Sequence, residues 1–198
     1  MTVELTIISV GIGVLIGIFG GIARVSKRPL FFIPSTVYVE IIRGTPLLAQ
    51  LFIVYFGLPS LGMNLPPFTS AVIAMGINSG AYVTEIFRGG IQSIERGQME
   101  AARSLGLSYL QAMRYIILPQ AFKRILPPLG NEFIAMLKDS SLASTIAIAE
   151  LMRVGREITS RTFRSFEVLA VVALMYLAIT LPLSLIVRYT ERRMSVSD

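Results

Sequence analysis

The chain has 198 residues, 54% of them hydrophobic and only 15% charged, where a soluble domain carries roughly 25% charged residues. It contains no cysteine and no histidine, which excludes disulfides and thiolate metal sites and removes the commonest general base. Enzymatic chemistry is therefore not expected, and neither a catalytic residue nor a metal ligand is assigned. The net charge of +6 suggests nucleic acid only until its Lys and Arg are placed, because they flank apolar stretches long enough to cross a membrane. The fold class is all-α integral membrane, in a single domain over residues 1–198.

The first apolar run, about 5–23, lacks a basic leader and is long enough to span, so it is not expected to be a cleaved signal. Its Gly11, Gly13, Gly17, Gly20 and Gly21 suit close packing against a neighbouring helix. The second run, about 33–58, is interrupted by Arg43-Gly44-Thr45-Pro46, a kink signal. Within it Glu40 and Arg43 are spaced i, i+3 and are expected to neutralise each other. Glu40, Arg43 and Pro46 read as gate architecture, and Gln50 as a group lining a path.

The third run, about 68–87, places Asn78, Tyr82 and Glu85 on one helical face, with Ser79 and Gly80 beside them. Polar groups at bilayer depth face protein or a water-filled path. Asn78, Ser79 and Tyr82 are thus ligand candidates, with a polar helix–helix seam as the plainer alternative. Glu85 is either part of the path or paired with Arg88 at i+3.

Residues 88–124 hold most of the charge between spans. Good helix formers fill 98–105, Gly106 suits the left-handed position after a helix end, and Ser108 with Gln111 makes a capping-box pattern. The second helix is expected to stop just before Pro119. The corner would present Ala101, Ala102, Leu105 and Leu107 beside Glu100 and Arg103. Such a corner fits a partner's groove, and equally an amphipathic hairpin lying on the bilayer.

The fourth run, about 132–151, contains Lys138, Asp139, Ser140 and Ser141. Asp139 and the serines are good N-cap residues, so a second half-helix is expected there, its N-terminus aimed into the membrane. A substrate carboxylate would sit over Ser140 and Ser141, with Asp139 on an ammonium or a cationic side chain. Glu150, eleven residues on, would return to the same face, and two carboxylates there would favour a basic amino acid. The plain alternatives are a Lys138–Asp139 pair and a Glu150 in outer water. The fifth run covers about 168–187.

Orientation follows from the basic residues. Arg24, Lys27 and Arg28; Arg88, Arg96, Arg103, Arg114, Lys123 and Arg124; and Arg188, Arg192 and Arg193 all fall on one side if five spans are real. Positive charge marks that side as cytoplasmic, so the N-terminus is outside and the C-terminus inside. Arg153, Arg156, Arg161 and Arg164 dissent and land outside with Glu157, as a solvated turn or a docking rim.

The spacing E-A-A, three residues, G, nine residues, I-x-L-P is carried by Glu100, Ala101, Ala102, Gly106, Ile116, Leu118 and Pro119. It resembles the signature loop of membrane subunits in ATP-binding-cassette importers. The segments EIIRGTPLLAQ (40–50), NSGAYVTEIFRGG (78–90) and LKDSSL (137–142) extend the resemblance to the polar amino-acid permeases of that class. It implies a type I importer fold of five core spans and a coupling helix that seats in an ATPase subunit through Glu100, Ala101, Ala102, Arg103, Leu105 and Gly106. It also implies a paired second permease, a homodimer being favoured over a homologous partner, and an extracellular amino-acid-binding protein docking on the outer rim. The chain has no phosphate loop of the form G-x-x-x-x-G-K-S/T, so ATP and Mg are expected on the separate ATPase. The resulting expectation is a bacterial cell-membrane permease subunit for polar, above all basic, amino acids, with glutamine or glutamate as the alternative substrate. An ion- or proton-coupled transporter or channel using the intramembrane carboxylates is the competing class; a coupling loop is what neither it nor a scaffold subunit needs.

Overall fold

The computed structural model describes residues 1–26 and 28–195, and among these every regular element is helical. α1 (Thr2–Val25) lies along α4 (Pro67–Gln92). Gly13, Gly17, Gly20 and Gly21 of α1 meet Ser79, Val83, Thr84 and Phe87 of α4, so the two helices run parallel. A Cβ on Gly17 would collide with Val83; absent side chains bring the two backbones together, the main source of adhesion where lipid removes the hydrophobic drive.

α2 (Pro29–Arg43) and the following α3 (Leu47–Phe52) divide the run 33–58 at the expected interruption. Together, out to Leu61, they have the length and apolarity of one span but bend by 100° at Gly44-Thr45-Pro46. The cause is local: Pro46 has no N–H to give the Ile42 carbonyl. Gln50 supplies the missing donor, its Nε2 lying 2.7 Å from that carbonyl, and the Thr45 hydroxyl donates to the Ile41 carbonyl at 2.9 Å. A π turn (Ile53–Gly57) and a 3-10 turn (Leu58–Leu61) end the segment at Gly62.

α4 overruns its expected end by a turn, so the connecting loop is shorter than 88–124. Within it lie α5 (Arg96–Ser104) and α6 (Tyr109–Ala112). The second helix does not stop before Pro119. It passes through a π turn (Met113–Ile117) into α7 (Leu118–Asp139), where Pro119 occupies the first turn, a place where the missing N–H is tolerated. α7 is antiparallel to α4: Gly90 meets Ile125 at one end, and Ser79 bonds Glu132 further along.

The break expected within 132–151 is present, but no second α half-helix begins at it. α7 ends at Asp139, a 3-10 segment (Ser140–Ile146) follows, and Ala147 takes a left-handed φ of 67°. The new helix starts twelve residues after Asp139, as the amphipathic α8 (Leu151–Thr162). α9 (Ser165–Ser195) runs back along α7, with Gly130 against Val187, and leaves most of its surface open. One apolar core, around Leu5, Leu51, Met75, Met136 and Ile146, joins α1, α3, α4 and α7; a second, around Ile91, Ile94, Ile117 and Ile125, ties the α5–α6 corner to α4 and α7.

Candidate functional site

A cavity of about 500 Å³ opens where the α2–α3 bend faces α4 and α7. Arg43, Thr45 and Pro46 come from the bend, Asn78 and Tyr82 from α4, and Glu132 and Asp139 from α7. The bend is what exposes these groups to one space, since an unbroken helix would carry Arg43 past the cavity.

Asn78 is buried, and its Nδ2 donates to Gln50 Oε1 at 3.0 Å. Gln50 in turn donates to the Ile42 and Thr45 carbonyls and to Thr45 Oγ1 at 2.7, 3.1 and 2.9 Å. Asn78 therefore holds the bend through Gln50. Ser79 donates to Glu132 Oε1 at 3.0 Å. Nothing in the linear pattern marks Glu132 except that it lies seven residues before Asp139, two turns on one helical face.

The expected Glu40–Arg43 pair is absent: Glu40 is exposed and makes no ion pair among the described residues. Arg43 turns instead to Glu85, 3.6 Å away, where Arg24 and Arg88 already sit at 2.9 and 2.8 Å. Glu85 thus pairs with Arg88 as one reading expects, and also with two arginines distant in sequence. One carboxylate cannot neutralise three guanidinium groups. Arg43 is the farthest and the most exposed of them, at 42%, and lies over the Tyr82 ring at 5.1 Å. Held loosely by Glu85, it presents its positive charge to the cavity.

Two other expectations change. Ser140 is buried and its hydroxyl donates to the Leu137 carbonyl at 2.7 Å, so it does not begin a half-helix; Ser141 is half-buried on the same 3-10 turn. Glu150 does not share an α-helical face with Asp139, because a 3-10 segment and the left-handed Ala147 separate them, and it does not stand in outer water. It is 1% exposed and caps α8, accepting from the Arg153 and Met152 N–H groups at 2.6 and 2.8 Å and from the Tyr176 hydroxyl at 2.9 Å. Two backbone donors at a helix N-terminus and a phenol explain how a carboxylate is tolerated there.

At the other end of the bundle, the α5 corner closes as a Schellman motif. Leu107 N–H bonds the Ala102 carbonyl at 3.2 Å, Gly106 N–H bonds the Arg103 carbonyl at 3.1 Å, and Gly106 has φ 87°. The Ser108–Gln111 capping box is formed in both directions, at 3.2 and 2.8 Å. Glu100, Ala101 and Leu105 face outward, Leu105 being 80% exposed. Ala102, expected on the outer face, is buried instead, and Arg103 donates to the Leu107 carbonyl at 2.9 Å.

The fold is that of an importer's membrane component. Residues 13–196 match the family of binding-protein-dependent transport system inner membrane components, and the chain belongs to that family. It is a permease subunit of a bacterial amino-acid importer, located in the inner membrane. It is 44% identical over 198 residues to the glutamine transport system permease protein GlnP of Escherichia coli K12, covering 99% of this chain and 90% of that one. It is 45% identical to the L-cystine permease TcyB of Bacillus subtilis (98% and 83% covered), and 39% identical to the arginine permease ArtQ of the same species (100% and 91% covered). A solved amino acid ABC transporter crystallised with histidines superposes with a TM-score of 0.93 at 50% identity, over 98% of this chain and 90% of that one. The MetNI methionine transporter shares the fold at a TM-score of 0.82 and 17% identity, over 98% and 92%. The ion-coupled alternative is not favoured by this membership.

Proposed function

We propose that this permease conducts basic amino acids by alternating access, with Arg43, Glu132 and Asp139 as the charged contacts. The observation that carries the reading is the charge of the cavity: one guanidinium against two carboxylates. A zwitterion would place its α-carboxylate on Arg43, next to Tyr82, and its α-ammonium on Glu132 or Asp139. One carboxylate then remains, which a lysine or arginine side chain would neutralise. Asn78 and Gln50 shape the wall, and Ser79 orients Glu132. Ser140 and Glu150 act behind the wall.

Five crossings with the N-terminus outside are consistent with the helix directions: α1, α4 and α9 run one way and α7 the other, with the α2–α3 pair returning the chain between α1 and α4. In that orientation the α5 corner faces the cytoplasm and docks a separate ATPase, which holds ATP and Mg, through Glu100, Ala101, Leu105 and Gly106. Ala102 and Arg103 stiffen the corner from within. The core around Ile94 and Ile117 passes its movement to α4 and α7. A second copy of this chain completes the path, and α8 offers Arg156, Arg161 and Glu157 to an external amino-acid-binding protein.

The test is equilibrium binding of labelled arginine, lysine and glutamine to the purified permease–ATPase complex without the external binding protein. This reads the cavity alone. Arginine and lysine are expected to bind more tightly than glutamine; a preference for glutamine overturns the basic-substrate reading.

A further inference from the structure

A groove of about 860 Å³ lies between α1 and α2 and shares no lining residue with the substrate cavity. Its body is apolar. Phe19 and Ile22 form one wall and Leu30 and Phe31 the other, and all four are exposed, Phe19 and Leu30 by about three quarters. The two hydroxyls in that body are already committed: Ser35 donates to the Gly20 carbonyl at 3.0 Å and Tyr38 to the Ile77 carbonyl at 2.6 Å. A polar occupant would find no free hydroxyl donor in the body of the groove, whereas a hydrocarbon chain would lose nothing there.

One end of the groove differs. There, at the connection between the two helices, stand Ser26 and Arg28. The Ser26 oxygen accepts from the Arg28 backbone N–H at 3.2 Å, which leaves its own proton free to donate. Arg28 has no acidic partner among the described residues, because the carboxylate at this end, Glu85, is held by Arg24, Arg43 and Arg88. The connection between two apolar helices lies at a membrane surface, where basic groups between helices attract anionic headgroups. An apolar trough with Arg28 at its mouth, a cation without an acidic partner among the described residues, matches an amphiphile with a negative head.

We propose that this groove is a binding site for an anionic phospholipid, its phosphate on Arg28 and Ser26 and one acyl chain between Phe19, Ile22, Leu30 and Phe31. The site does not depend on the choice of transported amino acid. It buttresses the half of α2 that precedes Arg43, and so links membrane composition to the element that carries a cavity residue.

Native mass spectrometry of the intact permease–ATPase complex, titrated with phosphatidylglycerol or phosphatidylcholine of matched chains, tests the proposal. Wild type is expected to prefer phosphatidylglycerol by about fivefold or more, the worth of one basic residue at an anionic surface. Arg28→Gln should abolish the preference and Arg28→Lys should keep it. Leu30→Trp, which fills the trough, should lower occupancy by both lipids. Equal binding of the two lipids by wild type, or an unchanged preference in Arg28→Gln, overturns the proposal. The chain has no native cysteine, so Phe31→Cys gives a clean second measurement. Efficient disulfide formation between two permeases through that position in membranes would show a second copy covering the groove, and would also overturn it.

Discussion

Arg43 and Glu85 lie 3.6 Å apart although 42 positions separate them, and the same carboxylate already holds Arg24 and Arg88 at hydrogen-bonding distance. Arg43 is therefore tethered but not neutralised, the condition for a residue that receives an anionic group. Arg43→Ala is expected to weaken binding of every amino acid by roughly ten- to a hundredfold, the worth of about 1.5–3 kcal/mol for a charge-assisted bond. Loss confined to basic substrates would refute a carboxylate contact at this position.

Asp139→Asn and Glu132→Gln remove the two negative charges one at a time. One of them should reduce arginine and lysine binding about tenfold more than glutamine binding, the scale of one hydrogen bond to a charged group, and the other should weaken all three alike. The comparison needs the three labelled amino acids on each variant. If one variant weakens all three equally, its carboxylate holds the α-ammonium, and the other carboxylate reads the side chain.

Gln50→Leu leaves the Ile42 carbonyl with only the Thr45 hydroxyl, a long 3.4 Å away, as a donor. An under-satisfied carbonyl in this setting costs on the order of 1 kcal/mol or more, so thermal unfolding in detergent should begin several degrees lower. Gln50→Glu should do the same, since it cannot donate. A wild-type unfolding temperature in both would show that the bend does not need the amide.

Gly106→Val places a β-branched residue at φ 87°, where a side chain costs about 1–2 kcal/mol. The Schellman turn would open, and Leu105 and Glu100 would lose their relative placement. Substrate-stimulated ATP hydrolysis by the complex should fall sharply while amino-acid binding persists. Glu100→Ala should share the loss of coupling. Full stimulation in both variants would refute docking through this corner.

Tyr176→Phe removes one of three donors to the buried Glu150 carboxylate. The expected cost is about 1.5–3 kcal/mol, read as a lower unfolding temperature, with substrate preference unchanged. A changed preference would return Glu150 to the substrate site.

The α5 corner was legible from the sequence because its determinants are neighbours: a left-handed glycine, a Ser–Gln capping box and a run of helix formers act within a dozen residues. Apolar length likewise settled the membrane class, and the glycines of α1 announced a close helix contact. Ser140 and Glu150 misled for the opposite reason. Their types suit both a cap and a ligand, and only the neighbours supplied by folding, Leu137 and Tyr176, distinguish the two.

By itself, then, the sequence determined that this is a helical membrane protein with a structured corner between spans, because local propensity and apolar length need no partner. Tertiary structure alone decided that Arg43 joins Glu85 rather than Glu40, that Glu132 stands with Asp139 at the cavity, and that Glu150 is a cap. The first depends on how the helices face one another beside a 100° bend, the second on how α7 lies against it, and the third on α9 bringing Tyr176 to the start of α8. Charges that meet over tens of residues leave no mark on the linear order.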